Sequence, residues 1–223
     1  MRCLRENSLS IVFGVLFVAA LAGQSVAGYL EYNEQQLAHA QPTLTYTAYL
    51  FSSDFGQSVL ENWQSEYLQF ALFIVATVWL VQRGSPDSKE VERRGRESDA
   101  EQRVGTFADE HSPLAARVGG VRLRIYQHSL FLVMISIFFA SWIVQSLDGW
   151  SAHNQDLAEH RLPPVGWLGY VGSATFWEST LQNWQSEFLV IGSVAVFAVY
   201  LRERGAAGSK PVGAGEDETG AEG

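Results

Sequence analysis

Cysteine is almost absent from this 223-residue sequence, since Cys3 is the only one. A lone cysteine excludes an internal disulfide framework and a metal site built from several thiolates. Basic residues are also scarce: there are 15 Lys and Arg against 24 Asp and Glu, and the formal net charge is −9. No basic face is concentrated enough to neutralise a series of phosphates, so we expect no nucleic-acid partner.

Known catalytic motifs are missing as well. The sequence contains no G-x-S-x-G nucleophile motif, no H-E-x-x-H zinc motif, no P-loop and no dinucleotide-binding fingerprint. His39, His153 and His160 are loosely spaced, whereas a metal site needs a defined ligand geometry. We expect these histidines to hydrogen-bond to neighbouring backbone, and we predict no enzymatic activity, no metal and no cofactor.

One motif is present twice. Leu60–Leu68 reads L-E-N-W-Q-S-E-Y-L, and Leu181–Leu189 reads L-Q-N-W-Q-S-E-F-L. When the chain is shifted over itself by 121 positions, about a third of roughly 80 aligned residues are identical without a gap. We therefore predict two tandem copies of one unit. The identical pairs outside the motif include Ser25 and Ser146, His39 and His160, Pro42 and Pro163, and Tyr49 and Tyr170.

Each copy has two apolar stretches that are candidates for membrane helices. At about 1.5 Å per residue, roughly 20 helical residues cover a hydrocarbon core of about 30 Å. The spans predicted on this basis are Leu9–Tyr29, Trp63–Gln82, Ser129–Trp150 and Trp184–Glu203.

The first apolar stretch has an alternative interpretation as a cleavable signal peptide. Basic residues precede it, and Ser25-Val26-Ala27 near its end resembles a cleavage site. Its counterpart Ser129–Trp150, however, lies in the middle of the chain, where a cleavage site has no use. We therefore interpret both stretches as retained membrane helices.

The second apolar stretch of each copy is too short to cross a bilayer unless its helix starts earlier. Ser58-x-x-Glu61 and Ser179-x-x-Gln182 fit the capping-box pattern, so we predict helix starts at Ser58 and Ser179. The motif tryptophans then lie at the membrane–water boundary, where an amphipathic indole is favoured. We also expect a short interfacial helix before each capping serine. The predicted interface anchors are Trp63, Trp184, Arg83 and Arg204.

The distribution of basic residues predicts the orientation. Leu30–Asn62 contains no Lys or Arg, and the corresponding loop of the second copy contains only Arg161. The other 14 basic residues (15 minus one) lie in the N-terminus, the central linker and the C-terminal end. Because positively charged segments stay in the cytoplasm, we predict that both termini and the linker are cytoplasmic.

The predicted fold class is an all-α membrane protein with four transmembrane helices from two tandem two-helix repeats. Because each repeat crosses twice, the copies enter the membrane in the same direction and a parallel pseudo-two-fold relates them. The linker is rich in charged residues and the tail in Gly and acidic residues, so we predict a solvated tether and a disordered tail. The predicted boundaries are 1–84, 85–120, 121–205 and 206–223 for first repeat, linker, second repeat and tail.

The paired N-W-Q-S-E stretches, each followed by an R-G-x-x-x-S-K exit, resemble a small bacterial membrane family catalogued as a domain of unknown function. The likeness covers the chain except the linker and tail. It implies a multi-pass protein of the bacterial inner membrane, and it implies no catalytic residue.

Glu66 and Glu187 are the most informative polar residues of the predicted spans. An ionisable group inside a membrane helix is a functional hypothesis by default, and here it predicts a polar cleft near the outer leaflet that binds a cation or proton. Alternatively, these groups only hydrogen-bond between helices, with about 0.6 kcal/mol each. The candidate cleft residues are Gln24, Ser25, Asn62, Gln64, Ser65, Glu66, Gln145, Ser146, Asn183, Gln185, Ser186 and Glu187.

These observations leave two functional hypotheses. The first is a non-enzymatic inner-membrane protein with a structural or envelope-associated role. The second is a small-solute or ion transporter that uses the polar cleft. The expected partners are the lipid bilayer and either a homo-oligomer or another membrane protein.

Overall fold

The computed structural model describes residues 5–220, and this part of the chain is helical without any strand. Arg2, Cys3 and the last three residues of the predicted tail lie outside it. The α-helices of the described part are α1 (Ser8–Ala38), α2 (Tyr46–Leu50), α3 (Ser53–Trp79), α4 (Leu114–Val118), α5 (Gly120–Gln127), α6 (Ser129–Glu159), α7 (Trp167–Val171) and α8 (Ala174–Tyr200). Two short 3-10 helices, Val91–Arg93 and Gly105–Phe107, lie between α3 and α4.

Three pairs of helices have matching bounds. Both ends of α1 and α6 differ by 121 positions, the offset of the sequence overlay (129 minus 8, and 159 minus 38). The same difference separates α2 from α7 and α3 from α8. The two copies therefore begin and end these three helices at the same aligned positions.

Helices α1 and α6 are longer than the predicted spans Leu9–Tyr29 and Ser129–Trp150. Each contains 31 residues, about 46 Å at 1.5 Å per residue, and α1 runs nine residues past Tyr29. The prediction ended each helix where the apolar residues end. The polar stretch that follows is rich in Glu, Gln and Leu, which are good helix formers, so the backbone continues as a helix.

Both long helices end in the same left-handed turn. Ala40 and Arg161 have φ of 55° and 58°, and each follows a histidine shared by the two copies. The N–H of Gln41 donates to the carbonyl of Gln36 at 2.8 Å, which is the 6→1 bond of a Schellman motif. A proline stands directly after the turn in both copies, at Pro42 and Pro163, where it prevents the helix from resuming.

The predicted starts of α3 and α8 at Ser58 and Ser179 are wrong. The capping serines are Ser52 and Ser173, whose Oγ atoms accept from the N–H groups of Phe55 and Phe176 at 3.3 Å. Ser58 instead donates to a backbone carbonyl inside the helix. Two serine patterns compete at this point, and the upstream pattern starts the helix because its residues are compatible with helix geometry.

A consequence of the earlier start is that the N-W-Q-S-E motifs lie deep within their helices. Trp63 comes ten residues after Ser53, about 15 Å along the helix axis. The short helices α2 and α7 precede the capping serines as predicted, and Thr45 caps α2 by accepting from the N–H of Ala48 at 3.3 Å. Their location in a membrane interface stays a prediction.

An asparagine ties each long helix to the loop that follows it. The Asn33 side chain accepts from the N–H of Leu44 at 2.8 Å and donates to the carbonyl of Leu44 at 3.0 Å. Asn154 makes the same pair of bonds with Val165, at 2.9 Å and 3.1 Å. Both backbone groups of one loop residue are thereby satisfied, which holds the loop against the helix.

The structure divides into two compact units. The first contains the residues up to Leu60 together with Val144–Gly172, and the second contains Glu61–Ile143 together with Ser173–Gly223. Each unit therefore combines segments from both halves of the chain.

The core of the first unit is built on two tyrosines at aligned positions. Tyr49 is 5% exposed, and its ring lies 5.5 Å from the ring of Phe55, with Tyr29 and Tyr32 also in contact. Tyr170 is equally buried, and its ring lies 5.4 Å from that of His153. The hydroxyls of Tyr49 and Tyr170 occupy the space that a Cβ would need at Gly28 and Gly149 of the long helices.

The core of the second unit is an aromatic cluster. Trp142 of α6 stacks on Phe138 at 5.6 Å and on Phe176 of α8 at 5.9 Å. Trp177 and Trp184 complete the contacts around the same indole, at 6.0 Å and 5.9 Å. Offset and tilted ring pairs of this kind add stability beyond the area that they bury.

The R-G-x-x-x-S-K exits form matching turns after α3 and α8. The N–H of Gln82 donates to Ser88 Oγ at 2.8 Å, and the N–H of Glu203 donates to Ser209 Oγ at 2.9 Å. The glycine of each exit has a positive φ, 84° at Gly84. The sequence did not predict these turns. Each is closed by a serine side chain six residues after the bonded N–H, and such a contact leaves no periodic pattern in the sequence.

The tail makes several contacts in the second unit. The Lys210 side chain is 1% exposed, and its ammonium donates to the carbonyls of Gly215, Glu216 and Glu218 at 2.9, 3.1 and 3.2 Å. Burial lowers the pKa of Lys210, and the neighbouring charge of Arg202 adds to that shift. A segment can make such contacts and still exchange in solution, so the disorder of the tail stays a prediction.

Candidate functional site

The candidate site is the pair of N-W-Q-S-E segments on α3 and α8, both in the second unit. We call their polar contacts the motif seam, formed by Glu61, Gln64, Thr180, Asn183 and Trp184. A helix repeats every 3.6 residues, so residues 61, 64 and 65 share one face of α3 and residues 180, 183, 184 and 187 share one face of α8. These two faces meet, as the contacts below show.

Gln64 is the central residue of the motif seam. Its side chain is fully buried, with 0% exposure, and its Oε1 accepts from the indole Nε1 of Trp184 at 2.8 Å. Its Nε2 donates to the carbonyl of Glu61 in the preceding turn at 3.1 Å. A buried amide whose oxygen and nitrogen are both bonded meets the requirement for a polar group inside a protein.

Two further bonds flank this contact. The Asn183 Nδ2 donates to the carbonyl of Ser179 in its own helix at 3.0 Å, and the Asn183 side chain lies near the carboxylate of Glu61. Thr180 is fully buried, and its Oγ1 accepts from the Trp142 indole of α6 at 3.5 Å. The motif seam thus links three helices through side-chain hydrogen bonds.

Glu66 and Glu187 carry like charges on α3 and α8, and neither contributes to the motif seam. Glu66 is exposed, whereas Glu187 is half-buried. No group of three or more His, Cys, Asp or Glu in residues 5–220 has the geometry of a metal site.

The two motifs, although nearly identical in sequence, lie in different surroundings. Gln64 and Ser65 are 0% and 2% exposed, while the aligned Gln185 and Ser186 are exposed. Asn62 and Trp63 are also exposed, with 36% of Trp63 accessible. This asymmetry is invisible in the sequence overlay.

The remaining predicted cleft residues lie in the first unit. Ser25 is 4% exposed and shares a hydrogen bond of 2.7 Å with the Tyr46 hydroxyl; Ser146 at the aligned position accepts from the Trp167 indole at 3.1 Å. Gln24 donates to Ser58 Oγ at 3.3 Å. Gln145 is 3% exposed, and its Oε1 has no hydrogen-bond partner.

The twelve predicted cleft residues are therefore divided, with four in the first unit and eight in the second. A single cleft formed by all of them stays a prediction. The anchors Arg83 and Arg204 are exposed at the exits of α3 and α8, and their role as membrane anchors also stays a prediction.

Sequence reasoning missed several partners of the predicted residues. Tyr46 and Trp167 lie at aligned positions and hydrogen-bond to Ser25 and Ser146, which no sequence pattern predicted. Nothing in the sequence indicated that Thr180 and Trp142 hydrogen-bond to each other, since neither belongs to the repeated motif. The aligned aromatic pair was the one available clue.

Outside the motif, burial and hydrogen bonding shift the pKa values of several titratable groups. Burial raises the pKa of Asp54, and it also raises the pKa of the Tyr49 hydroxyl, with the Asp54 carboxylate adding to the effect. His39 and His160 each bond to the carbonyl four residues earlier, at 2.8 and 2.9 Å, which is the backbone contact predicted for them. The Asp156 carbonyl and carboxylate raise the pKa of His160.

Two helices, α1 and α6, are long and apolar enough to cross a membrane. Only 6% of the most apolar 18 residues of α1 are buried, and 22% of those of α6. A core helix of a water-soluble protein would bury most of such a stretch, so this surface is unusual for one. Membrane crossing by α3 and α8 does not follow from length and composition alone.

A family model described as a domain of unknown function (DUF6766) matches residues 1–221. The chain belongs to this family. The resemblance indicated by the paired motifs is thereby confirmed at the level of the family. No curated protein and no solved structure matches the chain.

Proposed function

We propose that this family member is a non-enzymatic, four-pass membrane protein whose N-W-Q-S-E motifs join its helices. The observation that carries the proposal is the bond from Trp184 to Gln64 at 2.8 Å, deep in the helices and fully shielded. In hydrocarbon an unbonded amide is costly, so side chains that bond across helices hold a membrane bundle together. The role that this geometry supports is structural or envelope-associated.

The exposed apolar surface supports a lipid environment. Along the first half of α1, Leu9, Phe13 and Val18 are 72%, 63% and 63% exposed. Removing such side chains from water is worth about 1.5–3 kcal/mol each, and lipid tails provide that removal. The surface is therefore stable in a bilayer and aggregation-prone in water.

Two observations support membrane crossing by α3 and α8: the length of each helix, and the hydrogen bonds that their buried polar side chains make. Each has 27 residues, about 40 Å at 1.5 Å per residue, which exceeds the hydrocarbon thickness of about 30 Å. Gln64 and Thr180 direct polar atoms toward other helices, and Asn183 donates to the carbonyl of Ser179 in its own helix. The polar residues of the motif lower the mean hydropathy of these helices, but the buried polar atoms among them are hydrogen-bonded within the protein.

Two tandem copies related by a parallel two-fold are supported by repeated local contacts. The left-handed helix ends, the asparagine ties and the exit turns recur at an offset of 121 positions. Since every copy has two crossings, both copies enter from the same side.

The orientation can be tested with single cysteines in a Cys3→Ser background. Thr43→Cys lies in the first loop and Glu110→Cys in the linker, and both positions are exposed. In intact bacterial cells, an impermeant thiol reagent should label Thr43→Cys and not Glu110→Cys, because 14 of 15 basic residues are on the linker side.

Permeabilised cells provide the control, since both cysteines should then react. Alkaline carbonate extraction of the same membranes should leave the protein in the pellet. Release into the supernatant would refute membrane integration, and labelling of Glu110→Cys in intact cells would refute the orientation.

A second candidate function, cation transport, is favoured by the repulsion between the like charges of Glu66 and Glu187, which a shared cation would relieve. If the two carboxylates share a cation, the cation stabilises the fold by about 2.7 kcal/mol at 100 times its Kd. Glu66→Gln and Glu187→Gln should then each remove a cation-dependent rise in Tm, measured in detergent with Na⁺, K⁺ or Mg²⁺.

Glu178→Gln is the matched control, because Glu178 is an exposed carboxylate of α8 nine residues before Glu187. It should keep the cation response of the unmodified protein. Melting curves without any cation response in the unmodified protein would dismiss the transport candidate and leave the structural role.

A further inference from the structure

The short helices α4 and α5 have the same arrangement of side chains. In α4, Leu114 and Val118 are 73% and 62% exposed, whereas Ala116 between them is 5% exposed. At about 100° per residue, Ala116 lies on the opposite side of the helix from this pair. The helix α4 therefore packs through Ala116 and leaves its apolar pair open.

The helix α5 repeats the arrangement with larger side chains. Val121 and Ile125 are 70% and 57% exposed, and Leu123 on the opposite side is half-buried. We call Leu114–Gln127, which contains both helices, the amphipathic segment. Its open apolar residues recur at the same places in both helices, so they are not singly scattered surface residues.

Arginines flank both open pairs. Arg117 comes three residues after Leu114, which places it about 60° to one side, and Arg124 has the same position relative to Val121. Arg122 lies on the other side of the α5 pair, and all three arginines are exposed. An arginine at the edge of an apolar face buries its aliphatic stem along that face and keeps its guanidinium group in a polar layer.

No acidic residue compensates these arginines within the amphipathic segment. Between His111 and Asp148 the sequence contains no Asp or Glu, whereas residues 87–110 of the linker contain eight. In that acidic part of the linker, Arg93 is paired with the carboxylate of Glu101 at 3.8 Å. The segment has three Arg and no acidic residue, so its formal charge is +3 in a chain whose net charge is −9.

The position of α6 determines what the amphipathic segment meets. The helix α5 ends at Gln127, and α6 begins at Ser129. Since α6 is long and apolar enough to cross a membrane, its first residues lie at the membrane surface when it does so. The amphipathic segment is then held in the headgroup layer, because it is joined directly to the end of the crossing helix.

We propose that the amphipathic segment lies on the membrane surface and binds anionic lipid headgroups. This inference rests on the proposed membrane location. The open apolar residues enter the boundary between headgroups and acyl chains, and the guanidinium groups bond to lipid phosphates. Charge complementarity selects anionic lipids, because a positive segment without carboxylates is attracted to a negatively charged membrane. Residues 114–120, predicted as part of a solvated tether, belong to the membrane surface in this arrangement.

Fluorescence quenching in nanodiscs tests the proposal. Ile125→Cys of the full-length Cys3→Ser protein, labelled with bimane, should be quenched by a lipid that carries a spin label near its headgroup. Quenching should be at least about twofold stronger in an equimolar mixture of phosphatidylglycerol and phosphatidylcholine than in phosphatidylcholine alone. Thr106→Cys, at an exposed position of the linker, should be quenched weakly in both.

The arginines are tested by two double substitutions that remove the same charge. An arginine near an anionic surface strengthens binding by roughly fivefold. Arg122→Gln combined with Arg124→Gln should therefore abolish most of the gain from phosphatidylglycerol at position 125. Arg94→Gln combined with Arg96→Gln is the matched control, because these arginines are exposed among the acidic residues of the linker, and it should keep the gain.

Equal quenching at positions 125 and 106 would overturn the proposal, and so would a gain from phosphatidylglycerol that persists without Arg122 and Arg124. Thermal melting checks that each variant keeps its fold. Val133→Cys of α6, 54% exposed, separates the two hypotheses. Quenching at position 133 without quenching at position 125 counts against the lipid-binding segment alone, whereas no quenching at position 133 counts against the membrane location as well.

Discussion

Replacing Gln64 by alanine is expected to lower the free energy of unfolding by about 2–5 kcal/mol. The substitution removes a fully buried side chain, leaves a cavity, and deprives the Trp184 indole of its acceptor at 2.8 Å. Unfolding in a mixed-detergent titration, followed by tryptophan fluorescence, measures the loss.

The aligned residue provides a control within the same chain. Gln185 is exposed, so Gln185→Ala should change monomer stability by no more than about 0.5 kcal/mol. A double-mutant cycle of Gln64→Ala with Trp184→Phe should give a coupling of about 1 kcal/mol, the size of one hydrogen bond. Equal losses for Gln64→Ala and Gln185→Ala would contradict the asymmetry of the two motifs.

The second large effect is expected at Gly28, where a side chain has no room. A Cβ at this position would clash with the Tyr49 hydroxyl and lie 3.2 Å from Tyr49 Cζ. Tyr49 is 5% exposed and held by other rings, so it cannot move away freely. Gly28→Ala should therefore cost about 1–3 kcal/mol, measured in the same titration.

Gly23 is the matched control on α1, because an added Cβ there meets nothing within 4 Å. Gly23→Ala should be neutral or stabilise the helix by up to about 1 kcal/mol. Tyr49→Phe removes the clashing hydroxyl and should restore part of the stability of Gly28→Ala. The same pattern is expected for Gly149→Ala with Tyr170, whose Cζ would lie 3.1 Å from the new atom. A Gly28→Ala protein as stable as Gly23→Ala would contradict the proposed packing.

Features encoded by neighbouring residues were predictable from the sequence. The histidine contact to the carbonyl four residues earlier and the short helix before each capping serine need only a few adjacent residues. Family membership followed from the paired motifs and was confirmed. Helix starts were less predictable, since Ser52 and Ser58 both fit a capping position and the backbone uses the first.

The candidate site was predicted only in part. Gln64 and Asn183 were named as members of a polar cleft; Gln64 bonds across helices to Trp184, whereas Asn183 bonds to Ser179 in its own helix. The partner Trp184 could not be assigned to Gln64, because a sequence specifies which groups need hydrogen bonds but not which distant group supplies them. Thr180 was missed for the same reason.

By itself, the sequence determined the duplicated pattern and the apolar stretches, because both follow from residues close together along the chain. The ends of the two long helices were predicted nine residues too early, at Tyr29 and Trp150 instead of Ala38 and Glu159. Tertiary structure alone decided which of two nearly identical motifs is buried. Gln64 and Gln185 have the same neighbours along the chain, yet one is enclosed by Trp184 and the other is exposed. Burial depends on the helix that packs against a residue, and that helix comes from a distant part of the chain.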